Sequence, residues 1–167
     1  MRRDTHLYID LENTLIDDWF SNNLIYQREN RDLIEAVQPH SIRIFSLAVL
    51  SQDELKEAKR RIYPAIEDEL GIRIDATLLL PEVIGLKTST EAWDEYFRNN
   101  DKMMMFMNAI VCLYPEEQAA HYVLYDDTVN TIRAEIMPNA SSVPRMVDFI
   151  NAITWRTTPR APKMNEL

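Results

Sequence analysis

A chain of 167 residues can bury one proper core without disulfide or metal staples, and 46% hydrophobic with 27% charged residues is the composition of a globular domain. The net charge of −9 argues against general nucleic-acid binding, which rests on a basic surface meeting phosphates. The single cysteine, Cys112, leaves no disulfide framework or cysteine metal site, and the only two glycines, Gly71 and Gly85, rule out a glycine-rich phosphate loop.

The first predicted element is a short buried strand from Thr5 to Ile9, which delivers Asp10 at its end. Met1-Arg2-Arg3 leads straight into it and does not read as a signal peptide, and no apolar stretch has the length of a membrane span. The expected compartment is the cytoplasm. Residues 14–28, with Trp19, Phe20 and Tyr26, suit a flap or short helix over a site. Residues 29–38 suit a helix ending ahead of Pro39, because the residue before a proline is pushed out of helical geometry. Residues 41–50 alternate and then run continuously apolar, which predicts a central strand that includes Ser46.

Ser51-Gln-Asp-Glu54 has the form of a capping box. It opens a helix with Leu55, Ala58, Ile62, Ile66 and Leu70 at helical spacing, kinked at Pro64 and stopped at Gly71. A third strand is expected within 72–80, and Thr88 to Glu91 suit the cap of a helix through Trp93, Tyr96 and Phe97. Lys102 to Leu113 reads as a buried helix whose methionines pack the core and whose Cys112 is buried. His121 to Tyr125 is a fourth strand delivering Asp126-Asp127, after which Thr128 is expected to cap a helix through Ile136. Pro138 to Ser142 reads as a loop, and Met146 to Ile150 as either a fifth strand or a last helix. The reading is one α/β domain over 1–155, a three-layer sandwich with a mostly parallel central sheet, followed by a flexible tail over 156–167.

Asp10 and Asp126-Asp127 both follow apolar strands, and carboxyl ends of strands are where open α/β sheets bind ligands. If the two strands are neighbours, the carboxylates meet. Carboxylates gathered that closely repel one another unless a cation joins them, and all-oxygen ligands favour magnesium. His6, His40 and His121 share no ligand spacing and suit structural or surface roles.

Asp10-Leu-Glu12-Asn13-Thr14-Leu15 resembles the first motif of the haloacid dehalogenase-like (HAD) superfamily, Asp-x-Asp-Gly-Thr-Leu. Ile44-Phe45-Ser46 is similar to its second motif, and Tyr122 to Asp127 with Asn130 to its fourth. Lys102 suits the third, with Lys87 as the competing choice. The resemblance implies a Rossmann-like fold and a small, capless or minimally capped phosphatase whose phosphorylated substrate is of unknown class. It also implies that Asp10 is the nucleophile, forming an aspartyl-phosphate, and that Glu12 is the general acid and base. Ser46, Thr14 and the lysine would bind phosphate, and Mg2+ would be held by Asp10, the backbone carbonyl of Glu12, Asp126 and Asp127. The family's second acid is usually Asp, so Glu12 is one methylene long, and Asn13 stands where the family has glycine. Asn tolerates left-handed geometry, so the turn can still form. Two alternatives follow: a catalytically weak HAD-like binding or regulatory module, and a PIN-like metal-dependent nuclease, whose opening motif Ile9 to Asn13 also resembles.

Overall fold

The computed structural model describes residues 4–85, 90–113, 120–128, 133–136 and 145–159. Its strands are β1 (Thr5–Ile9), β2 (Ser41–Ile44), β3 (Ala76–Thr77), β4 (His121–Asp126), β5 (Arg133–Ile136) and β6 (Arg145–Asn151). They form one sheet in the order β3-β2-β1-β4-β6-β5, parallel throughout except for the antiparallel pair β5 and β6 at one edge. The helices are α1 (Gln27–Val37), α2 (Gln52–Arg61), α3 (Tyr63–Leu70), α4 (Leu80–Ile84), α5 (Thr90–Asn99), α6 (Lys102–Leu113) and α7 (Ala152–Thr157). No helix among the described residues is long and apolar enough to cross a membrane.

Strand parity divides the core into two layers. Leu7 and Ile9 of β1, Ile42 and Ile44 of β2, and Val123 and Tyr125 of β4 face one side, packed with Leu33 of α1, Ala58 of α2, Ile66 of α3 and Ile62 between α2 and α3. Tyr8, Tyr122, Leu124 and Phe149 face the other, packed with Leu80 of α4 and with Met105, Phe106, Ala109 and Ile110 of α6. Trp93, Tyr96 and Phe97 of α5 lie against this second layer. The three-layer α/β sandwich with a mostly parallel sheet is therefore the architecture. Both faces of the central strands are covered, which is why they read as near-continuous apolar runs.

Local signals explain most boundaries. Ser51 caps α2 by accepting from the Glu54 N–H, while Glu54 accepts from the Leu50 N–H at 3.0 Å. The expected kink at Pro64 is a break: α2 ends before Ile62, and Pro64 lies in the first turn of α3, where its missing N–H costs nothing. Gly71 closes α3 in the left-handed region, with φ 63°.

Four expectations need correction. The second strand ends at Ile44 and does not run on to Leu50, because the chain past it goes into the loop at the sheet's carboxyl edge; the third, expected within 72–80, is the two-residue β3. Of the two forms expected for residues 14–28, a flap or a short helix, the flap is the one seen: 14–26 hold turns and the isolated bridges Glu12↔Ile16 and Ile16↔Leu24. Arg133–Ile136 is strand, because pairing with β6 satisfies its backbone. Cys112 is exposed: the inward stripe of α6 runs through Met105, Phe106, Ala109 and Ile110, and Cys112 falls off it. Arg156 and Thr157 belong to α7, so the ordered chain runs past the expected start of the tail. The expected loop at 138–142 and residues 160–167 lie outside the described residues.

Candidate active site at the carboxyl edge of the sheet

From β1 the chain crosses to β2 on one side, and after β4 it goes to the other side, to β5 at the edge and back to β6 beside β4. The carboxyl ends of β1 and β4 therefore flank the topological switch point, the crevice in which open α/β sheets bind ligands. Ile9 pairs with Tyr125, and the Asp10 N–H donates to the Tyr125 carbonyl at 3.1 Å, so Asp10 and Asp126 leave adjacent strands at the same level. Asp10 has the parity of Tyr8, and Asp126 that of Leu124, which directs both carboxylates to the face covered by α6.

The first residue of α6 is Lys102, whose Nζ donates to Asp10 Oδ1 at 2.8 Å and also pairs with Asp126 Oδ2. A cation at a helix N-terminus opposes the helix dipole, so α6 by itself disfavours this lysine. Two buried acids from other elements reverse the balance. The ammonium also lies 5.2 Å from the centre of the Phe45 ring. One carboxylate oxygen from each of Asp10, Asp126 and Asp127 lies within 4.8 Å of the others.

The charges do not cancel. Burial raises the Asp10 carboxyl to about 7; Lys102 opposes the rise, and the charge of Asp126 and a hydrogen bond with Asp127 add to it. Asp127 is also raised by burial, with the charge of Asp126 adding, while its bond to Asp10 opposes. For Lys102, burial alone would lower the value, but the charges of Asp10 and Asp126 outweigh it and leave it raised. Three crowded carboxylates against one ammonium offer a set of oxygen donors that could hold a metal ion.

The supporting groups follow from the loops. Asn13 is left-handed at φ 61°, the geometry that Asn tolerates in such a turn. The turn is closed by the N–H groups of Leu15 and Ile16 on the Leu11 carbonyl at 2.8 and 3.0 Å. Thr14 is fully buried, and its Oγ1 donates to Asp10 Oδ2 over a long 3.5 Å. Ser46 is buried just beyond β2, and its Oγ accepts from the Ala48 N–H at 3.1 Å.

Glu12 stands apart: its Oε2 accepts from the Trp19 N–H at 2.9 Å, which ties it to the flap, and it is not among the clustered acids. Lys87, the competing lysine, lies outside the described residues, as does Asn130. Lys102 meets the acids directly.

Several contributors were not legible in advance. Thr128, expected as a helix cap, instead holds Asp126 Oδ1 through its N–H at 2.8 Å and its Oγ1 at 2.7 Å. Asn151, at the end of β6, donates to the Asp127 carbonyl at 3.2 Å. Arg156 of α7 donates to the carbonyls of Asn13 and Thr14 at 3.0 and 2.8 Å. A polar residue soon after a strand-end acid is a usable signal for Thr128, but nothing local marks Asn151 or Arg156.

Comparison with protein-family models, with curated proteins and with solved structures finds no match for this chain.

Proposed function

We propose that this chain is a HAD-like, magnesium-dependent phosphomonoester hydrolase of the cytoplasm, with Asp10 as nucleophile and a phosphorylated substrate of unknown class. The observation that carries the reading is the buried Asp10 carboxylate between one ammonium and two further acids at the switch point. Asp10, Asp126 and Asp127, with the backbone carbonyl of Glu12, would hold the magnesium. When bound, it would neutralise the carboxylates and withdraw charge from the phosphate oxygens.

Lys102 holds Asp10 Oδ1, which leaves Oδ2, with its long Thr14 contact, as the attacking atom. Attack forms the bond from Oδ2 to phosphorus and breaks the ester bond, and the leaving oxygen takes a proton from Glu12. Glu12 then takes a proton from water, whose oxygen attacks phosphorus, releases inorganic phosphate and regenerates the Asp10 carboxylate. The hydroxyls of Ser46 and Thr14 would donate to phosphate oxygens, and Lys102 would offset the charge that builds in the transition state.

Release of phosphate from an aryl phosphate with magnesium, abolished in Asp10→Asn, is the direct test. One observation favours a second reading, a catalytically weak binding module: the Glu12 carboxylate is occupied by the Trp19 N–H. Magnesium binding without turnover of any phosphomonoester would select that reading. Cleavage of single-stranded RNA that survives purification would instead select the PIN-like nuclease.

A further inference from the structure

The Asp10 loop is held from outside by a residue near the other end of the described chain. Its backbone carries unusual geometry at non-glycine positions: Asn13, Asn22 and Tyr26 have φ of 61°, 42° and 49°. Such conformations persist where the surroundings over-determine them. Here the turn at Asn13 leaves the carbonyls of Asn13 and Thr14 both facing α7, and Arg156 meets them with the two arms of its guanidinium. The Thr14 carbonyl also accepts from Asn30 Nδ2 at 2.9 Å. The flat guanidinium lies 3.7 Å from the centre of the Tyr26 ring, so stacking fixes its plane while the fork fixes its direction.

Helix α7 is anchored as a support should be. Asn151 caps it by accepting from the Thr154 N–H at 3.0 Å and, through its other side-chain atom, grips the Asp127 carbonyl. Ala152 is fully buried, and Trp155 Nε1 donates to the Glu29 carbonyl of α1 at 3.3 Å. The segment from Asn151 to Arg156 thus touches both halves of the acidic site, the β4 side through Asn151 and the β1 side through Arg156.

We propose that Arg156 is a positioning residue for the Asp10 loop: by fixing the Asn13 and Thr14 carbonyls it sets Thr14 against Asp10. The proposal rests on the hydrolase reading for its kinetic effect, but not for its effect on the loop. A point charge can replace the guanidinium only in part, because two carbonyls and a ring face need a planar fork.

The test compares Arg156→Met, Arg156→Lys and Arg156→Ala with the wild type in magnesium and an aryl phosphate. Displacing the loop by about an ångström is expected to lower kcat of Arg156→Met on the order of tenfold to a hundredfold, with KM nearly unchanged. Arg156→Lys should recover part of this, and added ethylguanidinium should raise the rate of Arg156→Ala and leave the wild type unmoved. Amide exchange of Leu15 and Ile16 should quicken in Arg156→Met while β1 amides keep their protection. Wild-type kcat together with wild-type exchange in Arg156→Met would overturn the proposal, as would an Arg156→Ala defect that ethylguanidinium leaves untouched. If Arg156→Met does not fold, Arg156→Lys carries the same comparison. A wild type that releases no phosphate counts against the hydrolase reading alone, and the exchange measurement still decides Arg156.

Discussion

The two ends of the sheet are both rich in polar residues, yet they are built on different principles. At the amino end, His6 Nδ1 meets Ser41 Oγ at 2.6 Å, His121 Nε2 meets Asp148 Oδ2 at 3.1 Å, and His40 Nδ1 lies 3.8 Å from Asp4. Each histidine faces a different neighbour, a hydroxyl for His6 and a single carboxylate for His121 and for His40. At the carboxyl end, Asp10 and Asp126 share Lys102 while Asp127 crowds against them, and two of the three acids are raised in pKa as a result of burial and crowding. All three histidines of the chain gather near the amino end without composing a metal cluster, for the acid group is the one such cluster among the described residues. Polar residues that satisfy one another in pairs serve structure, whereas a surplus of one charge in a buried place marks a site.

The contrast can be broken or sharpened by substitution. On the proposed hydrolase reading Asp10→Asn is expected to have the largest effect, a loss of phosphate release of at least about 10³-fold, since the neighbours cannot compensate for removal of the proposed nucleophile. Phosphate assay against wild type checks it. Lys102→Met comes next, because it leaves Asp10 and Asp126 buried without their cation. It should destabilise the metal-free protein by about 3–5 kcal/mol, and magnesium should raise its melting temperature more than it raises that of the wild type. Equal magnesium shifts in the two proteins would contradict a cation site at these acids.

The pH dependence has a definite sign. The folded-state pKa of Asp10, about 7, lies above its ordinary 3.8, so the folded state binds this proton more tightly than the unfolded chain does. The stabilising contribution of Asp10 is complete below 3.8 and is lost as pH rises through about 7. Metal-free wild type should therefore lose stability relative to Asp10→Asn between those limits, and magnesium should oppose the loss. Thermal melts of both proteins across that range are the measurement, and parallel curves would count against the burial of an ionised Asp10.

At the amino end the effects should be small. Ser41→Ala removes one buried hydrogen bond from His6 and is expected to cost about 1 kcal/mol, with phosphate release unchanged. Asp148→Asn, at a pair partly open to solvent, should cost about 1 kcal/mol or less. A marked loss of activity in either would erase the distinction between the two ends.

Much of the fold was legible because its local signals agree with its tertiary needs. The buried strands β1 and β4 are marked by apolar runs, the start of α2 by Ser51 and Glu54, and the end of α3 by Gly71. Reading failed where pairing or packing made the decision. Arg133–Ile136 is strand because β6 lies beside it, and Cys112 is exposed because the stripe of α6 turns past it. Glu12 was legible as an acid beside Asp10, but not as a ligand of the Trp19 N–H, since that bond depends on how the flap folds back.

The sequence by itself determined the alternation of strand and helix, the order in which the acids emerge, and the scarcity of glycine that hands any phosphate to side chains. These are properties of short windows, fixed by periodicity, capping and residue chemistry. Only the tertiary structure decided that β1 and β4 are neighbours, that the first residue of α6 is the cation between their acids, and that Arg156 reaches back to the loop after Asp10. Those contacts span 92 residues from Asp10 to Lys102 and 143 from Asn13 to Arg156. At such separations no local preference selects a partner; the partners meet because two apolar layers must each be covered, and covering them brings these residues to one edge of the sheet.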